Sequence, residues 1–286
     1  MTTDPSTPLD LHFGRGPRAW QAQWRLALRI TKLNFKARME YRGEFVLGLV
    51  FGLIWQSAMI LFAGVVLLRF PGLGGWTQGG VLLVAAMRLL SHSIYVVLFS
   101  NVSRLSLAVQ EGRIDGFLMR PLPLYRQVLL WQFNVNAIGD LIAGFGIFAI
   151  ALSRLHMDWT LVKGAYVVIG IIGGMFAEAA LQTLLSMGAF RFTGVQTWAS
   201  WADDTLSSFG NYPLSFLPGT VRDTLTFVIP LAFIAFFPAS VITGRVSTSG
   251  VPQWLTVASP LVGLLMFLAA KAIWYKSVRF YQSVGG

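Results

Sequence analysis

The chain contains no cysteine, which excludes disulfides, thiolate nucleophiles and cysteine-based metal sites. Charge is scarce as well: only 12% of its 286 residues are Asp, Glu, Lys or Arg, against 55% hydrophobic. A soluble globular domain carries about 25% charged residues, so this chain lacks the polar coat that such a fold needs. That deficit reads as an integral membrane protein. The three histidines, His12, His92 and His156, are too dispersed for a metal constellation, and no metal site is expected. No GxxxxGK[ST] phosphate loop occurs, since the glycine-rich PGLGGWTQGG has no lysine, and HExxH, GxSxG and DFG motifs are missing too. An enzyme and a nucleotide site on this chain are therefore not expected. Residues 1–17 are polar and show no apolar h-region, so the first span is expected to serve as its own insertion signal.

What is present is a set of apolar runs long enough to cross a hydrocarbon core of about 30 Å as helices. They are Glu44–Arg69, Gly80–Val102, Val128–Ser153, Leu161–Phe190 and Trp254–Tyr275. A further run, Leu225–Thr243, holds Pro230 and Pro238 and is expected to be kinked or broken. Lys and Arg concentrate before the first run, between the second and third, and after the last. The alternate loops hold Arg69, then Arg154 with Lys163, then Arg245. The positive-inside rule then places both termini and the 103–126 loop in the cytoplasm. The net charge of +10 fits cytoplasmic loops and anionic headgroups; no nucleic-acid motif accompanies it.

Before the first run, Trp20, Trp24, Leu26, Leu28, Ile30 and Leu33 recur at roughly helical spacing among Arg25, Arg29, Lys32 and Lys36. The pattern predicts a helix lying in the headgroup plane with its cations reaching lipid phosphates, or one packed on another protein. Within the runs, Arg88, Asp140 and Glu178 are ionisable groups at membrane depth, with His92 one turn from Arg88. Such groups are costly unless paired or hydrated. Two explanations stand side by side: an ion pair of Arg88 with Asp140 or Glu178, or a polar lining for a pathway. VQTWASWADDTLSSFGNY, residues 195–212, carries Asp203 and Asp204 and reads equally as a surface helix or as a span facing a hydrated interior.

The 103–126 loop contains EGRIDGFLMRPLP. Gly112 permits a bend, IDGFLM offers a short amphipathic turn, and Pro121 and Pro123 end it. Such an element suits docking into a soluble partner, and equally serves as a connector.

EGRIDGFLMRPLPLYRQVL, NYPLSFLPGTVRDTLTFVIPLAFIAFFPASVITGR and WYKSVRFYQSVGG resemble the permease subunits of type-two ABC exporters, in the bacterial branch with paired permeases and a separate ATPase. The resemblance implies an all-α integral membrane protein with six transmembrane helices in one domain, 44–286, after a polar tail, 1–17, and a cytoplasmic interface helix, 18–43. It implies a coupling element within 103–126 and an external re-entrant hairpin over 213–243, which makes Thr193–Tyr212 the fifth span, with Asp203 and Asp204 facing the interior of a dimer. In the coupling element, Glu111, Arg113 and Asp115 are expected to make polar contacts with the ATPase, Gly112 to form the bend, and Ile114, Phe117 and Leu118 to fill its groove. ATP and magnesium belong to that partner, present in two copies, and the second permease is expected to be a paralogue. The expected location is the bacterial inner membrane. A secondary transporter coupled through Asp140 and Glu178 is the competing expectation.

Overall fold

A computed structural model describes residues 17–69, 75–120, 122–155, 157–192 and 194–282, without the side chains of 17–20, 22, 23, 56 and 59–69. The tail, His12, Pro121, His156 and the side chain of Trp20 therefore lie outside the described residues.

Helix α1 (Pro17–Glu40) is followed after one residue by α2 (Arg42–Arg69), and α3 (Gln78–Phe99) is capped by Thr77, whose hydroxyl accepts from the Gly80 amide. Three short helices follow, α4 (Leu105–Gln110), α5 (Arg113–Leu118) and α6 (Leu124–Leu129). Then come α7 (Asn136–Arg154), α8 (Leu161–Ser186), α9 (Val195–Phe209) and α10 (Gly219–Phe227). A π-helical turn (Ala232–Phe236) leads into α11 (Phe237–Ile242), and the chain ends with α12 (Gln253–Val257) and α13 (Ser259–Ser277). No strand occurs among the described residues. Among the described residues, four helical segments are long and apolar enough to cross a membrane, five if α10 and the 232–242 helix count as one bent span.

Small residues let these helices approach. On α2, Gly52 lies against the Asn136 carbonyl of α7, and Gly139 of α7 against the Leu49 carbonyl of α2. Close backbone approach of this kind drives helix association in lipid, where apolar side chains gain nothing over the tails. At one end of the bundle Trp76, 1% exposed, donates its indole N–H to Ser215 at 3.0 Å, and Arg245 stacks on its ring at 5.6 Å. At the opposite end Phe190, Tyr125 and Trp274 stack edge to face, with ring centroids 5.0 Å apart in each pair with Trp274.

Three boundaries differ from the hydropathy reading. The third apolar run is not one helix from Val128: α6 ends at Leu129, and the residues between it and α7 are irregular. Side-chain amides serve that backbone, because Asn101 Nδ2 donates to the carbonyls of Leu129 (2.9 Å) and Gln132 (2.7 Å), and Asn34 Nδ2 to that of Leu130 (2.7 Å). The last run is divided at Ala258 just before Pro260, which cannot donate within a helix. Between 193 and 212, the helix proper is α9, 15 residues long, or about 22 Å, too short to cross alone. It starts at the Phe190 end, where Val195 packs on Gly188, and the irregular residues after it bring Ser215 to Trp76 at the other end.

The proline-bearing segment is broken as expected: α10 and the 232–242 helix meet at 83°. Both flanks of the pair contact Trp76, through Ser215 before it and Arg245 after it. Between them, Leu231 reaches Gly210, which also touches the stem of Arg88, about 15 Å along α3 from its Gln78 end. Pro238 has no N–H for the carbonyl four residues earlier, and that carbonyl, of Ile234, lies against Gly174 of α8.

Candidate functional site

Two places concentrate polar chemistry. The first is at mid-depth, between α3, α8 and α9. Arg88 and His92 are one turn apart on α3, Glu178 and Gln182 one turn apart on α8, so each pair shares a helix face. The structure brings the faces together: His92 Nδ1 lies 2.5 Å from Glu178 Oε1, and Gln182 Nε2 donates to Asp203 of α9. Glu178 and Gln182 are completely buried, and Arg88 is 3% exposed.

Of the two expected partners of Arg88, Glu178 is engaged elsewhere. Among the described residues the ion-pair partner of Glu178 is His92, and Arg88 Nε has no hydrogen-bond partner. The Arg88 stem lies against Gly210 at the end of α9, and its guanidinium is within electrostatic reach of Glu178, Asp203 and Asp140. Asp140, buried on α7, approaches Gly52 of α2. Asp203 and Asp204, adjacent in sequence, point about 100° apart, so Asp203 joins the cluster while Asp204 stays exposed. His92 and Gln182 were the partners that hydropathy missed. Their signal was the four-residue spacing from Arg88 and from Glu178.

The second place is the 103–126 segment. Gly112 sits at φ 66°, a left-handed conformation that glycine adopts freely, and separates α4 from α5. Glu111 and Arg113 form an exposed ion pair, and the Arg113 guanidinium lies 5.0 Å from the Trp131 ring. Ile114 is fully buried and Phe117 nearly so, in this chain's own core beside Leu105 and Val128. They are thus not free to fill a partner's groove, which corrects that expectation; a helix of six residues has one apolar face, and the bundle covers it. Leu118 and Met119, 41% and 88% exposed, remain at the surface. A cleft of about 550 Å³ separates this segment from α1, between Leu26 and Ile30 on one side and Arg113, Phe117, Arg120 and Trp131 on the other.

Asp115 does not project outward either. It accepts a hydrogen bond from the Tyr281 hydroxyl at 3.1 Å, tying the C-terminal end to α5. Burial first, and then the bond to Asp115, push the Tyr281 phenol up to about 12, above the ordinary value near 10. The bond therefore holds from neutral pH up to about pH 10 and is lost as pH rises through about 12. Tyr281→Phe should free the C-terminal end, seen as faster amide exchange over 278–282 with unchanged exchange in α3; equal protection in both proteins would show that the bond contributes nothing.

A bundle of apolar helices with a buried polar cluster at mid-depth and a folded polar segment at one end is a multi-pass membrane protein. A family model described as ABC-2 family transporter protein matches residues 53–285, most of the chain, and the chain belongs to that family as an ABC-2 type permease, a membrane transport subunit. No curated protein and no solved structure matches it.

Proposed function

We propose that this chain is one membrane half of an ATP-driven exporter, coupled to a separate ATPase through the α4–α5 element. The observation that carries the reading is the build of that element. It is rigidly held from beneath by Ile114, Phe117 and the Asp115–Tyr281 bond, and presents Glu111, Arg113, Leu118 and Met119 outward. A push on such an element is transmitted to α3 and α13 instead of being absorbed by a loose loop. The family supports an ATPase partner in general; two ATPase copies, a paralogous second permease and export as the direction belong to this proposal.

The same reading orders the rest. Six spans follow when α2, α3, α7, α8, the 195–215 segment and α13 cross, with the 218–245 segment a re-entrant hairpin. Both flanks of that segment meeting Trp76 support this count. Trp24, Arg25, Arg29, Lys32 and Lys36, all exposed on α1, support an interface helix against lipid headgroups. Lysine and arginine placement supports cytoplasmic termini in a bacterial inner membrane.

Affinity isolation of the chain from native membranes should bring down a Walker-motif ATPase and a second permease. Isolation of the chain alone, with uptake driven by a proton gradient, would transfer the function to Asp140 and Glu178. Leu118→Glu with Met119→Glu should leave insertion intact and lower transport-linked ATP hydrolysis at least tenfold, measured in proteoliposomes. Hydrolysis at the wild-type rate would remove α5 from the coupling role.

A further inference from the structure

The proposal concerns α9 and rests on the reading of this chain as half of a translocation pathway. Helix α9 turns Val195, Ala199, Ala202 and Leu206 inward. Its outward side carries Thr197, Ser200, Asp204 and Ser208, flanked by Trp198 and Trp201, which are 62% and 54% exposed. The depth of this side follows from contacts. Asp204 adjoins Asp203, whose partner Gln182 is about 12 Å inside the Phe190 end of α8. At that depth a carboxylate facing lipid tails costs about 2.5–3.5 kcal/mol on insertion scales, and exposed hydroxyls add to the cost. The outward side of α9 thus faces a hydrated space, not lipid.

The chemistry of that side is one-signed. No Lys or Arg occurs on α9, and Asp204 has no ion-pair partner among the described residues. Behind it stand Asp203 and Glu178, offset by Arg88 and by His92 when protonated. Arg191, the cation at the start of the helix, is held over Phe192 and Phe280. Trp201 is one turn from Asp204 and Trp198 one turn from Trp201, so two indoles and a carboxylate descend one side of the helix. Indole faces attract cations, more strongly where water is scarce, and a carboxylate at low dielectric does the same. We propose that Trp198, Trp201 and Asp204 bind the transported molecule, and that this molecule is an organic cation able to partition into membranes.

The test uses the full-length chain in neutral-lipid nanodiscs, with radiolabelled tetraphenylphosphonium as the cation and tetraphenylborate as an anion of matched shape. Saturable cation binding is expected above the partitioning background, with none for the anion. Asp204→Asn and Trp201→Ala should each weaken it at least tenfold, and Asp204→Glu should restore it. Equal binding by Asp204→Asn and wild type, or equal binding of cation and anion, overturns the proposal. The measurement needs no ATP: an isolated ATPase partner with no cation binding leaves the exporter standing and removes only the substrate class.

Discussion

Gly174→Val should leave little folded protein, whereas Gly146→Ala should fold at least as well as wild type. A Cβ on Gly174 would stand 2.1 Å from the Ile234 carbonyl oxygen and 2.7 Å from Ser91 Oγ. Neither neighbour can give way cheaply. The Ile234 carbonyl belongs to the π-helical turn that Pro238 helps to set, and Ser91 is bonded to the Ile171 carbonyl at 3.0 Å. Even Gly174→Ala, which would gain up to about 1 kcal/mol of helix propensity, should lose more than it gains, since overpacking costs about 1–3 kcal/mol. Valine adds two methyl groups to the same clash. Gly146, on α7, has nothing within 4 Å of its Cβ, so alanine there recovers propensity without collision. Thermal unfolding in detergent, followed by size-exclusion profile, separates the cases. Wild-type melting for Gly174→Val would mean that the 232–242 helix does not seat on α8 as described.

This contact shows where reading the chain alone stops. The apolar runs were legible because burial in lipid demands length and composition, both local properties, and the break at Pro230 followed from a missing donor. The carbonyl that Pro238 leaves without its α-helical donor was predictable; its position against Gly174 was not, because that depends on how α8 and the hairpin dock. The irregular stretch between α6 and α7 was hidden for a related reason. Leu130 and Trp131 are as apolar as a helix requires, and only Asn34 and Asn101, distant in sequence, make the unwound backbone tolerable. The amphipathic face of α5 was legible too. An apolar face looks the same in sequence whether its own bundle or a partner covers it, and here Ile114 and Phe117 turned inward.

The buried His92–Glu178 pair should carry the largest energetic coupling of the mid-depth cluster. His92→Ala leaves a fully buried carboxylate without its ion partner, a change that typically costs about 3–5 kcal/mol. Adding Glu178→Ala to His92→Ala should restore part of that loss, since the stranded charge goes with it. Glu178→Gln should be milder than His92→Ala, because an amide oxygen still accepts from the imidazole while no charge is stranded. Double-mutant cycles in detergent-solubilised protein measure the couplings directly, and residues in contact commonly give about 0.5–3 kcal/mol. The expected order is His92 with Glu178 above Arg88 with Glu178, since the arginine acts through space without a bond. Arg88→Leu alone should still destabilise, because three acidic groups lose the cation that offsets them. A cycle in which Arg88 and Glu178 couple more strongly than His92 and Glu178 would restore the arginine as the partner and make the imidazole a bystander. If His92→Ala melts as wild type does, Glu178 is held by water or a proton, and the cluster is a hydrated part of the pathway in place of a packing device.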